Sequence, residues 1–483
     1  MSKTTILYKD VAPGAEEAAA VTTDSASAFS EPSLLPAGVS VSPTATLEFG
    51  YWGLDGQHIA SDKQQPAFWS STISGADGTF ADPPVIDISF NAAFASLGIT
   101  ILFDTGTGEF CDRIHIDWYR QDTIKASEDF SPDNASYYCE KKVIGYTRIV
   151  VTLKRTSLPG RYAKVERIIF GTYRSFGMSE IWDGSVTNQM HPIAAELPVS
   201  SLTWTLESRR NVEYMFQLKQ PVEVRNDGNL IGVYYIDTSK RSSKNIYQIS
   251  CSDALGVLGG DNFPGGVYTS YSAKKLLGEI IGGDFTLTIE AEDAALTGIL
   301  QPCTRREAIQ QVLFAWGVCV STDGTNGIRV LSLGTVPEVI SQNRVYLGAT
   351  AETAAIVTEV RVTAHSYTAS ADGGVEINGQ RYADTKTVYT VQNPDVTATD
   401  KKNVVTVEEA TLISPDIGQA AAQRVYDYYQ RRTTNRTTFV WAGERLGGCV
   451  TVPTPWGTTE TGNLLKMELK LSNTVAVNCE VLS

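Results

Sequence analysis

Histidine is scarce in this chain: His58, His115, His191 and His365 are the only four in 483 residues. A nucleophilic triad needs a histidine base between a serine or cysteine and an orienting acid. Few are on offer, and no G-x-S-x-G elbow accompanies them. The seven cysteines (Cys111, Cys139, Cys251, Cys303, Cys319, Cys449 and Cys479) are scattered, odd in number and never spaced C-x-x-C. Zinc sites need closely spaced thiolates or imidazoles. Free, mostly buried thiols are therefore expected, which suits synthesis in a reducing cytoplasm. Basic residues are also short: 40 Lys and Arg face 54 Asp and Glu, a net charge of −14. Nucleic-acid surfaces need a basic patch, so no sequence-specific nucleic-acid binding is expected. No window approaches the ~18 apolar residues of a membrane span. The opening MSKTTILYKD has neither the apolar core nor the small-residue cleavage site of a signal peptide. The G-x-x-x-x-G-K-[ST] phosphate loop, H-E-x-x-H and the acidic calcium loop are missing too. No cofactor and no metal are expected.

What is present points to β structure. Forty glycines supply turns and 21 tyrosines suit half-buried strands. The length implies two to four domains. Residues 1–46 are rich in Ala, Ser, Thr and Pro and lack sustained periodicity, which reads as an arm or linker. Residues 47–175 read as a β-sandwich, with short apolar runs such as VIDISF (85–90), GITILFD (98–104) and TRIVVTL (147–153) between turn clusters. Ile114, Ile116 and Trp118 alternate onto one face. Residues 176–260 continue in strands around the hairpin turn Asn226-Asp227-Gly228-Asn229. Residues 261–335 carry two short helices. Ser272 caps the first, whose stripe is Ala273, Leu276, Leu277, Ile280 and Ile281. Thr304 and Glu307 form a capping box for the second. Residues 336–483 return to β, with a two-residue turn at Asn378-Gly379 and one helix over 414–431, capped by Ser414 and opened by Pro415.

Candidate chemistry is thin. Asp104, Glu109, Asp112 and Asp117 are carboxylates of the kind glycoside cleavage needs in pairs, but spacing selects no pair among 54 acidic residues. The glycine-rich runs 106–110 and 323–327 sit between β segments and read as hairpin turns. Aromatic rings on a sandwich can stack on sugars. Trp118 alternates with isoleucines and reads as core. Trp52, in the turn-like YWGLDG, and Trp69 are the candidate glycan contacts.

A series of residues in order carries a resemblance. It runs from Tyr8-Lys9-Asp10 through Ala45-Thr46-Leu47-Glu48, Trp52, Leu54-Asp55-Gly56, Phe68-Trp69-Ser70, Gly98-Ile99-Thr100, Phe103 and Asp117-Trp118-Tyr119. It continues through Leu202-Thr203-Trp204, Gln220-Pro221-Val222-Glu223-Val224 and Ile231-Gly232-Val233-Tyr234-Tyr235-Ile236. Ser252-Asp253-Ala254-Leu255-Gly256, Gly265-Gly266-Val267-Tyr268, Arg305-Arg306 and Leu313-Phe314-Ala315 complete it. Over about residues 6–330 the chain thus resembles a family of tail proteins from phages and prophages of Firmicutes. The last ~150 residues match less clearly.

The resemblance implies a mainly β chain. An N-terminal galactose-binding-like jelly roll would be followed by two small hub-type β-barrels, 176–260 and 336–483, with a short helical insert. Baseplate hubs of this kind are typically trimers around an open channel. It also implies a non-enzymatic virion structural protein at the tail tip. The implied partners are the tail tube protein, the distal tail protein, the tape-measure protein and tail fibre or receptor-binding proteins. DNA or an effector would pass through the ring. The alternatives are a carbohydrate-binding adhesin for host recognition, acting on a cell-surface glycan through 47–175, and a tail-associated peptidoglycan hydrolase. Contractile and non-contractile phages, bacteriocin-like particles and injection systems stay open as the source.

Overall fold

The computed structural model describes residues 4–28, 30–38, 48, 66–208, 214–397, 401–454 and 456–483. The protein is mainly β, with 52% strand against 12% helix. It divides into two compact units, one of Tyr8–Arg174 with Val212–Gln220, the other of Met1–Leu7, Ser175–Asn211 and Pro221–Ser483.

In the smaller unit, the main sheet runs in the order Ala19–Thr22, Val85–Leu102, Ser136–Thr156, Cys111–Arg120, Thr123–Phe130. A second pair, Phe68–Ile73 with Tyr162–Val165, shares its core. Ile114, Ile116 and Trp118 all point into that core, as their alternation requires. VIDISF and GITILFD belong to one strand, contrary to their reading as two. The stretch between them, residues 91–97, is bulged, with register shifts between Ser89 and Gly98, and bulges interrupt the alternation by which a strand is read. At Gly98 a side chain has no room: a Cβ would stand 2.2 Å from the Cys139 carbonyl oxygen.

The described residues of the expected arm are built into the fold. Ala19–Thr22 pairs with Val85–Leu102, and Ala12, Ala15 and Leu35 are buried. Thr4–Val11 is also a strand, with alternate residues buried, while the four-residue edge strand Ala19–Thr22 is too short to show a period.

In the larger unit, one sheet runs Pro221–Asn226, Asn229–Arg241, Ile246–Ser252, Ser201–Glu207, Ile181–Gln189, Thr459–Lys470, Ala476–Leu482, Thr433–Val440, Thr350–Thr353. Ile181–Gln189 meets Thr459–Lys470 in register Ser185↔Lys470 to Gln189↔Lys466. Segments 176–260 and 336–483 are therefore joined by strand pairing. Both two-residue hairpins take the left-handed geometry that their Asp-Gly and Asn-Gly pairs favour: φ is 48° and 81° at Asp227 and Gly228, and 51° and 79° at Asn378 and Gly379.

A second core in this unit gathers the helices Ala273–Ile281, Arg305–Trp316 and Pro415–Gln430 with the small sheet Val375–Ile377, Gln380–Gln392, Glu359–Ala369, Val404–Val407. The boundary expected at residue 335 runs through this core, since Leu276, Leu313, Val362 and Val425 share it. Ser272 accepts from the Lys275 amide, all five apolar residues of its helix are buried, and Gly282 ends it in the left-handed conformation. The capping box at Thr304 and Glu307 is complete in both directions. Pro415 opens the third helix, but Ser414 makes no side-chain capping bond.

Candidate functional site

Trp69 leads into the most highly charged buried cluster of the smaller unit. The strand Phe68–Ile73 pairs with Tyr162–Val165 in register Trp69↔Lys164. Antiparallel partners share a face, and the Lys164 ammonium lies 4.9 Å from the centre of the Trp69 ring. Trp69 is 1% exposed, so it offers no open face for a sugar to stack on. Burial in the strand pair, not solvent, decides its environment. Trp52 lies outside the described residues.

Lys164 Nζ stands 2.9 Å from Glu48 Oε2 and 2.9 Å from Glu109 Oε2. Arg161 Nε donates to Glu109 Oε1 at 2.6 Å, and the Tyr162 amide donates to Glu48 Oε1 at 2.8 Å. Two cations thus balance two carboxylates in a dry setting, as buried charge requires. The cavity beside them, lined by Glu109, Thr156, Arg161 and Lys164, is about 10 Å³. A single water needs that much, so a sugar cannot enter. The other candidate carboxylates are engaged separately. Asp112 pairs with Arg155 (2.6 Å) and Asp117 lies 3.3 Å from His115. Asp104 accepts from the Thr107 amide in a turn. They do not converge.

A second polar cluster of this unit joins residues that the sequence shows only as an ordered series. Tyr8 Oη is 2.9 Å from Asp10 Oδ1 and 2.6 Å from Gln220 Oε1, and it accepts from the Phe216 amide at 2.8 Å. Gln220 Nε2 donates to the Val11 carbonyl oxygen at 2.6 Å, and Arg174 Nε to Asp10 Oδ2 at 3.0 Å. Burial raises the Asp10 carboxyl above its ordinary value, against the pull of Arg174. No local signal links residue 8 to residue 220.

The larger unit holds a comparable network. Asp253 caps its helix by accepting from the Gly256 amide (3.0 Å), and also takes the Ser200 amide (3.0 Å) and the Thr322 hydroxyl (2.7 Å). Asp323, in the glycine-rich run 323–327, accepts from the Leu446 amide at 3.0 Å and from the Ser321 hydroxyl. Burial raises both carboxyls. Both are structural acceptors, each carboxylate oxygen taking at least one hydrogen bond.

A cavity of about 640 Å³ opens beside Ile356, Asn393, Lys401, Lys402, Asn403 and Arg432. Its Asn393 and Asn403 amides donate to the Val357 and Ile356 carbonyl oxygens, so they hold loops together. Among the described residues, no group of three or more His, Cys, Asp or Glu stands where it could hold a metal ion. All seven cysteines are free thiols, and five are buried. His115 sits on the sheet surface between Asp117 and Asp129, and His365 is buried. No described helix is long and apolar enough to cross a membrane.

The larger unit also exposes large apolar side chains. Leu347 is fully exposed, and Val336, Val339, Trp182 and Trp456 are more than half exposed.

No protein-family model matches this chain, and no curated protein matches it. Several solved structures are similar at low identity. The tail protein from Neisseria meningitidis MC58 is 13% identical with a TM-score of 0.46, covering 64% of this chain and 94% of that one. The 43 kDa tail protein of prophage MuSo2 from Shewanella oneidensis is 11% identical with a TM-score of 0.44, covering 64% and 95%. The prophage tail protein gp18 from Listeria monocytogenes EGD-e is 12% identical with a TM-score of 0.42, covering 64% and 91%. With TM-scores below 0.5, these likenesses fix neither the detailed fold nor a function.

Proposed function

We propose that this chain is a structural, non-enzymatic component of a phage or phage-like tail, a baseplate or tail-tip hub residing in the virion. It would form a ring, a homotrimer, that joins the tail tube to the tip and lets DNA or an effector pass. Its neighbours would be the tube, distal tail, tape-measure and receptor-binding proteins.

The observation that carries this reading is where the residues of the family resemblance lie. Tyr8, Asp10, Gln220, Leu202, Trp204, Val222, Tyr234, Asp253 and Leu313 are all buried. Asp253 caps a helix. At Gly265, with φ of 76°, a Cβ would stand 2.2 Å from the Leu300 carbonyl oxygen. These residues build a scaffold and converge on no open cleft. A resemblance carried by framework residues supports a shared architectural role over a shared reaction. The adhesin alternative loses Trp69 to the core, and the hydrolase alternative finds its candidate carboxylates engaged separately, Glu109 by Arg161 and Lys164 and Asp112 by Arg155.

The test is electron microscopy of purified particles with a labelled antibody against this chain. Label at the distal end of the tail supports the hub reading. Label on the capsid, or intact labelled particles that lack a tail, refutes it.

A further inference from the structure

His365 of the larger unit is buried in a setting that one protonation state satisfies. On the strand Glu359–Ala369, its Nδ1 lies 2.9 Å from Asp384 Oδ2 and its Nε2 lies 2.9 Å from the Glu408 main-chain oxygen. A carbonyl oxygen only accepts, and so does an ionised carboxylate. A neutral imidazole has one N–H and one lone pair. It would set that lone pair against an oxygen at one of the two contacts. With both nitrogens protonated, the ring donates to both. Placing the extra proton on Asp384 instead gives the same count: both bonds are made only when the pair carries one proton more than a neutral ring beside a bare carboxylate.

The position of the ring gives this proton a mechanical consequence. The His365 main-chain N–H donates to the Ile413 carbonyl oxygen at 2.8 Å. One residue therefore anchors both ends of segment 408–413, whose Ala410, Leu412 and Ile413 are buried. That segment runs directly into the helix Pro415–Gln430, where Tyr389 Oη donates to the Pro415 carbonyl oxygen at 2.9 Å. The second carboxylate oxygen, Asp384 Oδ1, is buried without a hydrogen-bond partner. The carboxylate thus depends on the imidazole.

The surrounding charges are few. From its own strand comes Tyr367, whose ring stacks at 5.9 Å and 7°. Its hydroxyl is raised by burial first, then by Asp384 and Glu409. From the adjacent strand come Asp384 and Lys386, the latter paired in register with His365. From the segment above come Glu408 and Glu409. The strand Val404–Val407 brings no charge. The helix Pro415–Gln430 packs on the opposite sheet face, that of Ala364, through Gly418.

We propose that His365 is a proton-dependent latch: with its second proton it ties segment 408–413 to the sheet at two points, and as pH rises the loss of that proton releases one of them. The two-point tie needs one proton more than the one-point tie, so closure weakens with rising pH.

Hydrogen exchange of the full chain, read by mass spectrometry at about pH 6 and about pH 9 after correction for intrinsic exchange, tests this. Wild-type protection of residues 408–413 should fall roughly tenfold at the higher pH, the effect of losing one hydrogen bond to a charged group. In Asp384→Asn the new amide N–H can donate to an unprotonated Nδ1, leaving Nε2–H for Glu408. Both bonds then survive with a neutral ring, and protection should be the same at both pH values. In His365→Gln only one donor contact can form, and protection should be low at both. Wild-type protection that is equal at the two pH values overturns the proposal without any variant. So does an Asp384→Asn chain as pH-dependent as the wild type.

Discussion

Lys164 holds its ammonium within 2.9 Å of both Glu48 and Glu109, and burial makes that arrangement hard to dismantle one partner at a time. Removing one member of a buried ion cluster leaves charge behind in a dry site, at a cost of roughly 3–5 kcal/mol. Lys164→Ala should lower stability by about that much in denaturant melts. The double variant Lys164→Met with Glu48→Gln should cost clearly less than the sum of its parts. Asp323 gives the opposite test. Burial raises its carboxyl, so the native state takes up a proton more readily than the unfolded chain. The sign follows: stability falls as pH rises from the ordinary carboxylate value, 3.8, through the raised native one. Asp323→Asn keeps an acceptor for the Leu446 amide and gains a donor for Ser321 Oγ, without the charge. Its stability relative to wild type should therefore improve between about pH 4 and pH 7, as read from urea unfolding at both ends. A constant difference across that range would show that the carboxyl does not titrate differently in the folded state.

At the scale of single elements, the helix Arg305–Trp316 is closed at its start by a reciprocal pair. Thr304 accepts from the Glu307 amide, and Glu307 accepts from the Thr304 amide and hydroxyl, both at 2.8 Å. Those two bonds, the backbone one first, hold the Glu307 carboxyl below its ordinary value. The stability it lends is present above that ordinary value and is lost as pH falls through the native one. Thr304→Ala should cost about 1 kcal/mol at neutral pH and shrink the acid-side loss, measured by thermal melts followed at the helix band. Caps of this kind were legible in the sequence, as were the stripe Ala273 to Ile281 and the turns Asp227-Gly228 and Asn378-Gly379. Each depends on residues three or four apart, so the pattern and its cause lie in the same window. The bulged strand Val85–Leu102 was not legible as one element, because its bulges break the alternation that marks a strand. The pairing of Ile181–Gln189 with Thr459–Lys470 and the meeting of Tyr8 with Gln220 were invisible for a plainer reason: no local pattern reports a partner two hundred residues away. The sequence offers Trp69 as a glycan contact on the same ground, since its burial is set by its pairing with Tyr162–Val165. Glu109 is visible in the sequence as a carboxylate, but nothing local marks Arg161 and Lys164 as its cations.

Across the whole molecule, net charge decides what can share space with the assembled protein. Each chain carries −14, and three chains in one ring would triply concentrate that charge. Duplex DNA is a dense polyanion, and binding it needs cations that displace its counterions. A hub that lets DNA through must do the reverse, repelling it weakly along the whole path so that no position becomes a trap. Two measurements follow. Light scattering on the purified chain should return a mass three times its 52.4 kDa. The exposed Leu347, Val336 and Val339 belong to the larger unit that the proposal places in the ring, and apolar contact resists salt, so the trimer should persist at high ionic strength. Gel-shift titration with duplex DNA should show no retention even at low salt, where any cationic groove would act most strongly. The two outcomes bear on different halves of the proposal. A monomer at all concentrations would remove the ring. A trimer that retains DNA at low salt and releases it at high salt would keep the ring but place a basic surface where the passage model requires an acidic one.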